Sequence, residues 1–492
     1  MSERRKRLGA WYTPADLVEA VVGGVVDAGW LASRSSTAVR VLDPACGDGR
    51  FLAAAAQRIT ELGRPVELVG VDVDPDAVSR ARAALPGASI VEGDALAHAW
   101  DGAGFDLVIG NPPYLSQLAR GTTRGGAGSR GVGTYGDVAA EFLALGADLA
   151  DPSGGRLAMV LPQSILASRD AADVRRAIDA RATLVWSWWS AVPVFEAQVL
   201  TCALAFELGA PTGGAPAVGP GNWARVVTDR QRIPPVPALD TDGTLGDRAT
   251  LNANFRDQYY GLVGAVVGDT ADELPDPFHD PLDDGRPPLI TSGLIDPGRS
   301  RWAERPITFH RQRIHRPRVD LAALDDAMRR WARRRLVPKV LVANQTAIIE
   351  ALADPAGAWL PGVPVIGVYP TGCHWDDRPS LETPLPDAAD LERSVWEIAA
   401  VLTSPVASVS LWHERAGTGL SAGAVRVAPA TLAALPWPRG TLDDAVAALR
   451  AGDVRACGLA IDRAYGVTGP AATELADWWT AHLGRIEARR DA

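Results

Sequence analysis

Cysteines and long apolar runs are scarce in this sequence of 492 residues, and their scarcity excludes several classes of protein. The 4 cysteines lie far apart and form no Cys-x-x-Cys pair, which argues against a zinc site or a disulfide framework. No uninterrupted apolar stretch is long enough to span a bilayer, and no hydrophobic segment with a cleavage site follows the basic N-terminus. We therefore expect a cytoplasmic protein without a metal site and without membrane contact.

Negative charge predominates, with a net charge of −10, but the positive charge is unevenly distributed. Residues 299–339 hold thirteen Arg or Lys and four Asp or Glu, whereas residues 251–298 and 340–492 both carry net negative charge. A local concentration of basic side chains is a better indicator of nucleic-acid binding than the overall sum. The alternative is a solvated helix face, because residues 325–335 follow a helical pattern.

Strand and helix patterns alternate over the first 208 residues. The predicted strands are Val39–Asp43, Glu67–Asp72, Ile90–Val91, Phe105–Ile109, Arg156–Leu161 and Val199–Glu207, and the predicted helices are Phe51–Leu62, Pro75–Leu85, Val138–Leu149 and Ala171–Ala180. Thr13 is predicted to cap an earlier helix, with Pro14 at its first position. This alternation predicts an α/β fold, a Rossmann-like doubly wound and mostly parallel sheet.

The remainder of the chain has a different character. Residues 209–247 are rich in Pro, Gly, Ala and Thr and are predicted to form a linker. After them the alternation is lost, and short strand-like pieces accompany helical patterns at 391–402 and 442–450. We therefore expect a catalytic-type α/β domain over 1–208, a linker over 209–247 and an α+β domain over 248–492.

Three acidic residues follow successive predicted strands and favour a nucleoside site. Asp43 precedes a Gly-x-Gly turn in "VLDPACGDGRFL", Asp72 ends the strand in "LVGVDVDP", and Asp94 lies in "IVEGDAL". Ligands of doubly wound sheets bind beyond the carboxyl ends of the strands, where Asp72 could accept ribose hydroxyls and Asp94 could meet an adenine edge. Each acid alone is typical of a solvated turn, and the Gly-x-Gly turn alone is common in such folds.

The segments "DPACGDG", "GVDVDP", "EGDA" and "NPPY", with "GAWYTP" upstream, resemble the gamma-class N6-adenine DNA methyltransferases of bacterial restriction–modification systems. The resemblance covers about the first 208 residues, and the second half is more loosely similar to the family's target-recognition domains. It implies S-adenosyl-L-methionine as cofactor, with Thr13 and Asp43 at its methionine part. The implied cofactor-binding residues are Thr13, Asp43, Ala45, Gly47, Asp72, Val73, Asp94 and Asn111.

The segment Asn111-Pro112-Pro113-Tyr114 suits the chemistry of a planar aminopurine. The side-chain carbonyl of Asn111 and the main-chain carbonyl of Pro112 can accept hydrogen bonds from the two N–H groups of an exocyclic amine. The prolines fix the backbone, and Tyr114 can stack on the base. The resemblance places Phe195 on another side of a flipped base, although by itself Phe195 indicates only a core position. The alternative for the whole segment is a rigid turn at the end of a strand.

Double-stranded DNA is the expected substrate. The candidate phosphate contacts are Arg311, Arg313, Arg316, Arg318 and Lys339. Similar Asn-Pro-Pro-Tyr motifs occur in methyltransferases of RNA amino groups and of protein glutamines, and a non-catalytic DNA-specificity subunit is a third possibility. We find no convincing nuclease motif, so any restriction endonuclease or defence partner is expected to be a separate polypeptide. The target sequence and the oligomeric state are not predicted.

Overall fold

The computed structural model describes residues 12–100, 104–114, 130–133, 136–195, 199–209, 221–254, 256–270, 285–373 and 387–488. The chain divides into two compact units. Unit 1 comprises Met1–Gln231 and Arg415–Ala422, and unit 2 comprises Arg232–Glu414 and Gly423–Ala492. Most of the Gly-rich segment 120–136 lies outside the described residues.

One seven-stranded sheet forms the centre of unit 1. Its strands are β1 (Val39–Asp43), β2 (Val66–Asp72), β3 (Ser89–Glu92), β4 (Leu107–Gly110), β5 (Arg156–Pro162), β6 (Ala182–Trp189) and β7 (Thr201–Leu208). Their order is β3-β2-β1-β4-β5-β7-β6, and β7 alone runs opposite to the other six strands. The predicted doubly wound, mostly parallel sheet is confirmed.

The helices of unit 1 follow the predicted alternation. They are α1 (Ala15–Val25), α2 (Ala28–Ser33), α3 (Arg50–Glu61), α4 (Pro75–Ala84), α5 (Val138–Leu149), α6 (Ala172–Asp179) and α7 (Arg225–Gln231), with 3₁₀ turns at Gln163–Leu166 and Arg169–Ala171. The buried side chains of α3 recur every three or four residues, so one face of the helix packs on the sheet. These side chains are Phe51, Leu52, Ala55 and Ile59. Helix α5 is buried almost all round.

Strand β6 is the one strand of this sheet that the sequence does not predict. Its sequence, "ATLVWSWW", shows no clean alternation, and most of its side chains are only half-buried. A strand at the edge of a sheet with neither face fully covered lacks both patterns that identify strands, the regular alternation and the continuous apolar run. Its pairing with β7, whose residues are almost all buried, therefore depends on tertiary contacts.

Unit 2 contains many short strands. They are β8 (Thr241–Thr244), β9 (Ala249–Ala253), β10 (Val266–Thr270), β11 (Leu289–Ile290), β12 (Ile295–Asp296), β13 (Arg299–Ser300), β14 (Ile307–Phe309), β15 (Gln312–Val319), β16 (Lys339–Val342), β17 (Gln345–Thr346), β18 (Ala351–Asp354), β19 (Leu360–Pro361), β20 (Ile366–Pro370), β21 (Val425–Arg426) and β22 (Pro436–Pro438). The two larger sheets have the strand orders β18-β16-β20-β9 and β10-β15-β14, and both are antiparallel.

The helices of unit 2 include those that the sequence predicts near 325–335, 391–402 and 442–450. They are α8 (Arg256–Gly261), α9 (Asp326–Arg335), α10 (Ala388–Leu402), α11 (Pro405–Arg415), α12 (Pro429–Ala433), α13 (Asp443–Arg450), α14 (Val454–Ala464) and α15 (Gly469–Ala488), with 3₁₀ turns at Leu245–Asp247 and Ser292–Leu294. Helices and antiparallel strands are mixed without regular alternation, so the predicted α+β class is confirmed for this unit.

The segment predicted as a linker, 209–247, is partly folded into both units. Trp223 is buried and packs on Phe206 of β7, with ring centroids 4.9 Å apart, and α7 continues unit 1 as far as Gln231. Strand β8 already belongs to unit 2. Composition alone indicates a linker here because Pro and Gly are frequent, but one buried tryptophan anchors the segment. The division between the units therefore falls at 231/232.

Within the described ranges, no single helix is long and apolar enough to cross a membrane. Helices α10 and α11 meet the length and composition criteria only as a pair bent by 61°. Both helices bury much of their apolar surface inside the protein.

Candidate functional site

The carboxyl ends of four neighbouring parallel strands border one open cavity of about 720 Å³. Its lining includes six of the residues that the sequence predicts for cofactor binding, namely Ala45, Gly47, Asp72, Val73, Asp94 and Asn111. Asp72 ends β2, Asp94 follows β3, and Asn111 follows β4. The arrangement agrees with the general position of ligand sites in doubly wound sheets.

The turn between β1 and α3 is held against β2 by hydrogen bonds. The main-chain N–H of Gly47 donates to Asp72 Oδ2 at 2.8 Å, and the N–H of Asp74 donates to Asp72 Oδ1 at 2.8 Å. Gly47 and Gly49 have φ values of 53° and 86°, a region in which side chains other than glycine are strained. Burial raises the pKa of Asp72 above its usual value. The carboxylate is therefore both a wall of the cavity and a support for its glycine turn.

Asp43 supports the cavity from behind and does not line it. Its side chain is 1% exposed, and its Oδ1 accepts a hydrogen bond from the N–H of Ala45 at 3.0 Å. Burial raises the pKa of Asp43 to about 8, and the nearby charge of Asp72 acts in the same direction. A methyl group added at Gly110 would overlap with Asp43 Oδ1. Asp43 thus packs directly under the residue that precedes Asn111.

Thr13 is not the helix cap that the sequence predicts. Helix α1 begins at Ala15 after Pro14, and no side chain caps its first turn. The hydroxyl of Thr13 instead accepts a hydrogen bond from Asn111 Nδ2 at 3.1 Å, and Thr13 is 5% exposed. Because the amide nitrogen of Asn111 donates to Thr13, the carbonyl Oδ1 is the atom that can accept from a substrate. Thr13 therefore orients Asn111 and, like Asp43, does not line the cavity.

The rest of the Asn-Pro-Pro-Tyr segment turns along the edge of the site. Pro113 lines the cavity, while Pro112 is buried. The rings of Tyr114 and Phe195 lie edge to face, with centroids 6.0 Å apart and an angle of 73°. Phe195 is 8% exposed and belongs to the hydrophobic core on which Tyr114 also packs. Burial raises the pKa of Tyr114 well above its usual value, so its phenol stays protonated.

Sequence reasoning does not single out several other residues that line the cavity, among them Tyr12, Asp74 and Phe142. Tyr12 stacks against the guanidinium of Arg50 at 4.9 Å, and its hydroxyl accepts from Arg80 at 2.6 Å. Phe142 comes from α5, and Asp74 follows Asp72 by two residues. The signal for Tyr12 is its position beside Thr13-Pro14, and the signal for Asp74 is the repeated acid in "DVDP". Phe142 has no signal, because a core helix and a site wall share the same apolar pattern.

The basic stretch contributes fewer exposed cations than the sequence suggests. Lys339 is fully buried in β16, and its ammonium group is paired with Asp354, so the prediction that it contacts DNA phosphate is wrong. Arg318 is 9% exposed and lies over the ring of Trp302 at 5.4 Å. Arg316 is paired with Asp269. Of the five candidate contacts, only Arg311 and Arg313 are exposed.

Metal-binding side chains are not clustered in the parts of the chain that the structure describes. No group of three or more His, Cys, Asp or Glu side chains there could hold a metal ion. The cysteines, all of which fall in these parts, are buried and form no disulfide. Burial raises the pKa of the Cys46 and Cys202 thiols, which disfavours the reactive thiolate form.

Comparisons with known proteins agree with this geometry. Residues 41–121 match the family described as a methyltransferase domain, and residues 87–184 match the family described as Eco57I restriction-modification methylase. The resemblance to restriction–modification methyltransferases is thereby confirmed over these residues. The matched methyltransferase domain implies S-adenosylmethionine as the cofactor. The assignment to the N6-adenine class stays a prediction.

Two curated type II methyltransferases are similar to part of the chain. M.XamI of Xanthomonas campestris pv. amaranthicola is 34% identical over 122 residues, which cover 23% of this chain and 21% of that protein. M.TthHB8I of Thermus thermophilus is 37% identical over 110 residues, which cover 22% of each. The chain thus aligns with about a fifth of the length of these relatives.

Among solved structures, the type IIG restriction endonuclease BpuSI is 12% identical over 98% of this chain and 66% of that chain, with a TM-score of 0.40.

Proposed function

We propose that this chain transfers a methyl group from S-adenosylmethionine to N6 of a flipped-out adenine in double-stranded DNA. It would be the modification part of a restriction–modification or phage-defence system, acting with a separate endonuclease or defence subunit. The observation that carries the proposal is the position of Asn111, whose amide is oriented by Thr13 and which lines the same cavity as Asp72 and Asp94.

The lining of the cavity suits the chemistry of the cofactor. Asp72 and Asp94 offer carboxylates to hydroxyl and amino groups, and Val73, an apolar side chain that is 48% exposed, offers a surface for a base. Gly47 leaves room for close approach, since a methyl group at its Cα would have only the ring of Tyr12 within 4.0 Å. When bound, S-adenosylmethionine supplies a methyl group activated by its sulfonium charge.

The residues of the chain would then hold and activate the amine. Asn111 Oδ1 and the carbonyl oxygen of Pro112 each accept a hydrogen bond from one N–H group of the exocyclic amine. These two hydrogen bonds localise the lone pair of the amine and direct it at the methyl group. Flipping a base out of a duplex costs a few kcal/mol, and stacking on Tyr114, at about 1–3 kcal/mol, offsets part of that cost. Phe195 keeps the ring of Tyr114 in place by its edge-to-face contact.

Sequencing of methylated DNA tests this proposal. The full chain and an Asn111→Ala variant are expressed in a bacterial host that lacks DNA methylation, and the DNA is read by modification-sensitive long-read sequencing. We expect N6-methyladenine at one short motif in the first culture and none in the second. The variant Gly87→Ala is a matched control, because a methyl group at Gly87 meets no atom within 4 Å. It should methylate the same motif.

An unmodified genome in the presence of soluble wild-type chain would contradict the proposal. Radiolabelled methyl transfer to total RNA or to protein fractions would then separate the two remaining substrate classes. Transfer to neither would leave the non-catalytic reading, in which the chain binds DNA without modifying it.

A further inference from the structure

The hairpin of β14 and β15 has an unusual turn. The strands pair with Phe309 opposite Gln312, so the loop consists of His310 and Arg311 alone. Both residues have positive φ, 46° and 67°, as a two-residue type I′ turn requires. Such turns strongly favour Asn-Gly or Gly-Gly, because other side chains are strained in this region. This turn therefore carries two side chains that its backbone disfavours.

The strained turn is supported from below. The main-chain N–H of His310 donates to the hydroxyl of Tyr259 at 3.0 Å, and the ring of Tyr259 packs on Phe309 with centroids 4.7 Å apart. Further along β15, Arg316 is paired with Asp269 of the neighbouring strand β10. Strained backbone persists where the surroundings over-determine it, and it is concentrated at functional sites.

The tip of the hairpin is polar and capable of recognition. His310 and Arg311 are exposed in the turn, and Thr308 and Arg313 are exposed on the face opposite to the buried Ile307, Phe309 and Ile314. Gln312 pairs with Phe309 and shares its face, but it is exposed because it lies next to the turn. Arginine can form hydrogen bonds with the major-groove edge of guanine, and glutamine can do so with that of adenine. The major groove of DNA is wide enough to admit a two-stranded β-ribbon. Beside the hairpin, Tyr260 is 54% exposed and contacts Tyr259 edge to face.

We propose that this hairpin is a specificity-determining element, which enters the major groove and reads base edges through Arg311, Gln312 and Arg313. The inference rests on the proposed function and names the part of unit 2 that selects the sequence. A solvated turn gives no reason for two non-glycine residues at positive φ. Simple phosphate binding needs cations alone and does not require the fixed geometry that Tyr259 provides.

The test replaces the turn by one that the backbone prefers. The double variant His310→Asn with Arg311→Gly keeps the type I′ geometry and removes both long side chains, so we expect an unchanged or higher melting temperature. Wild type and variant are each used to select bound duplexes from a random-sequence DNA library. We expect wild type to enrich one motif and the variant to lose preference at one or more positions of it, by at least tenfold. Arg330→Ala removes an exposed arginine of α9 and is the matched control, which should enrich the wild-type motif.

Three results would overturn the inference: an unchanged motif at unchanged affinity, an unchanged motif with uniformly weaker binding, and no enriched motif from wild type. The second would assign the hairpin to phosphate contacts. Because selection by binding does not depend on methyl transfer, its result is separate from the outcome of the methylation experiment, which alone decides the proposed activity.

Discussion

At the scale of single residues, the carboxyl groups around the cavity have different roles. Asp72 and Asp94 face the cavity, whereas Asp43 lies behind it and is almost completely buried. A carboxyl without a cationic partner loses its hydration on burial and holds its proton more tightly. Asp43 therefore has a pKa of about 8, compared with an ordinary value of 3.8, and is mostly protonated near neutral pH.

This shift predicts a pH-dependent effect of Asp43→Asn on stability. Between pH 4 and pH 8 the folded protein keeps a proton that the unfolded chain has released, so Asp43 makes folding less stable as pH rises, by at most about 1.4 kcal/mol per pH unit. Asparagine cannot ionise and still offers an oxygen to the N–H of Ala45. We expect the melting temperature of the variant, relative to wild type, to rise steadily from pH 5 to pH 8.

Thermal melting followed by circular dichroism at half-unit pH steps is sufficient to measure this difference. Asp462 is also buried, with its pKa raised to about 7, but it is present in both proteins, so its contribution cancels in the comparison. Parallel curves for the two proteins would mean that Asp43 is ionised throughout, and the pH argument would fail.

The site residues show what sequence reasoning can reach at this scale. Asp72, Asp94 and Asn111 follow strands whose ends must lie together, so their convergence is predictable from strand order alone. The bond from Asn111 to Thr13 is not predictable, because it joins residues 98 positions apart through side chains. Lys339 fails for the opposite reason: its charge suggests solvent or phosphate, but its strand is buried and Asp354 provides an internal partner.

At the scale of elements, the carboxyl end of β4 determines where Asn111 lies. Gly110 is the last residue of β4, and its lack of a side chain lets Asp43 of the neighbouring strand β1 pack against the backbone. Direct contact between the two strands therefore fixes the position of Asn111 at the carboxyl end of the sheet. A glycine at this position is required by close approach between elements and not by an unusual backbone angle.

We predict that Gly110→Ala reduces methyl transfer by about 100-fold or more, because its methyl group would overlap with Asp43 Oδ1 and displace Asn111, and a misplacement of about 1 Å has an effect of this size. Overpacking should also lower stability by about 1–3 kcal/mol. The measurements are the single-turnover rate of methyl transfer to a duplex that carries the target motif and the melting temperature of each protein.

Gly87→Ala provides the comparison, since the added methyl group meets nothing within 4 Å and both quantities should stay at wild-type values. If Gly110→Ala had a lower melting temperature but transferred methyl groups at the wild-type rate, the exact position of Asn111 would not limit the rate of methyl transfer.

Some secondary-structure elements can be predicted from their sequences and others cannot. The central strands β1, β4 and β5 are buried apolar runs between turn residues, and the helices between them have a clear apolar face, so both are predicted. The hairpin of β14 and β15 is not predicted, because His310-Arg311 gives no turn signal. Its turn is supported by Tyr259 of α8, which accepts a hydrogen bond from the N–H of His310 and packs on Phe309 of β14.

At the scale of the whole molecule, the cofactor cavity and the proposed reading hairpin belong to different units. The cavity-lining residues precede residue 231 and lie in unit 1, whereas His310 and Arg311 lie in unit 2. The alternating pattern of the sequence ends at residue 208, close to the division at 231/232, and the roles of the two units stay a prediction. The pattern misses that residues 415–422 return to unit 1, because a short excursion of the chain leaves no mark in composition.

This separation predicts how the molecule responds to its ligands. S-adenosylhomocysteine, the product of the cofactor, should stabilise the folded protein by about 2.7 kcal/mol at a concentration of 100 times its Kd. We expect the same rise in melting temperature in wild type and in the double variant His310→Asn with Arg311→Gly. In Asp72→Asn the rise should be much smaller, because loss of a charged hydrogen-bond acceptor weakens binding by about 1.5–3 kcal/mol.

The comparison uses the ligand-induced rise in melting temperature within each protein, so any effect of Asp72→Asn on the stability of the unliganded protein cancels. A full rise in Asp72→Asn would remove Asp72 from the cofactor site. A diminished rise in the hairpin variant would mean that unit 2 influences the cofactor cavity of unit 1. Sequence selection and cofactor binding would then be coupled, and the effect of the turn on the selected motif could no longer be ascribed to base contacts alone.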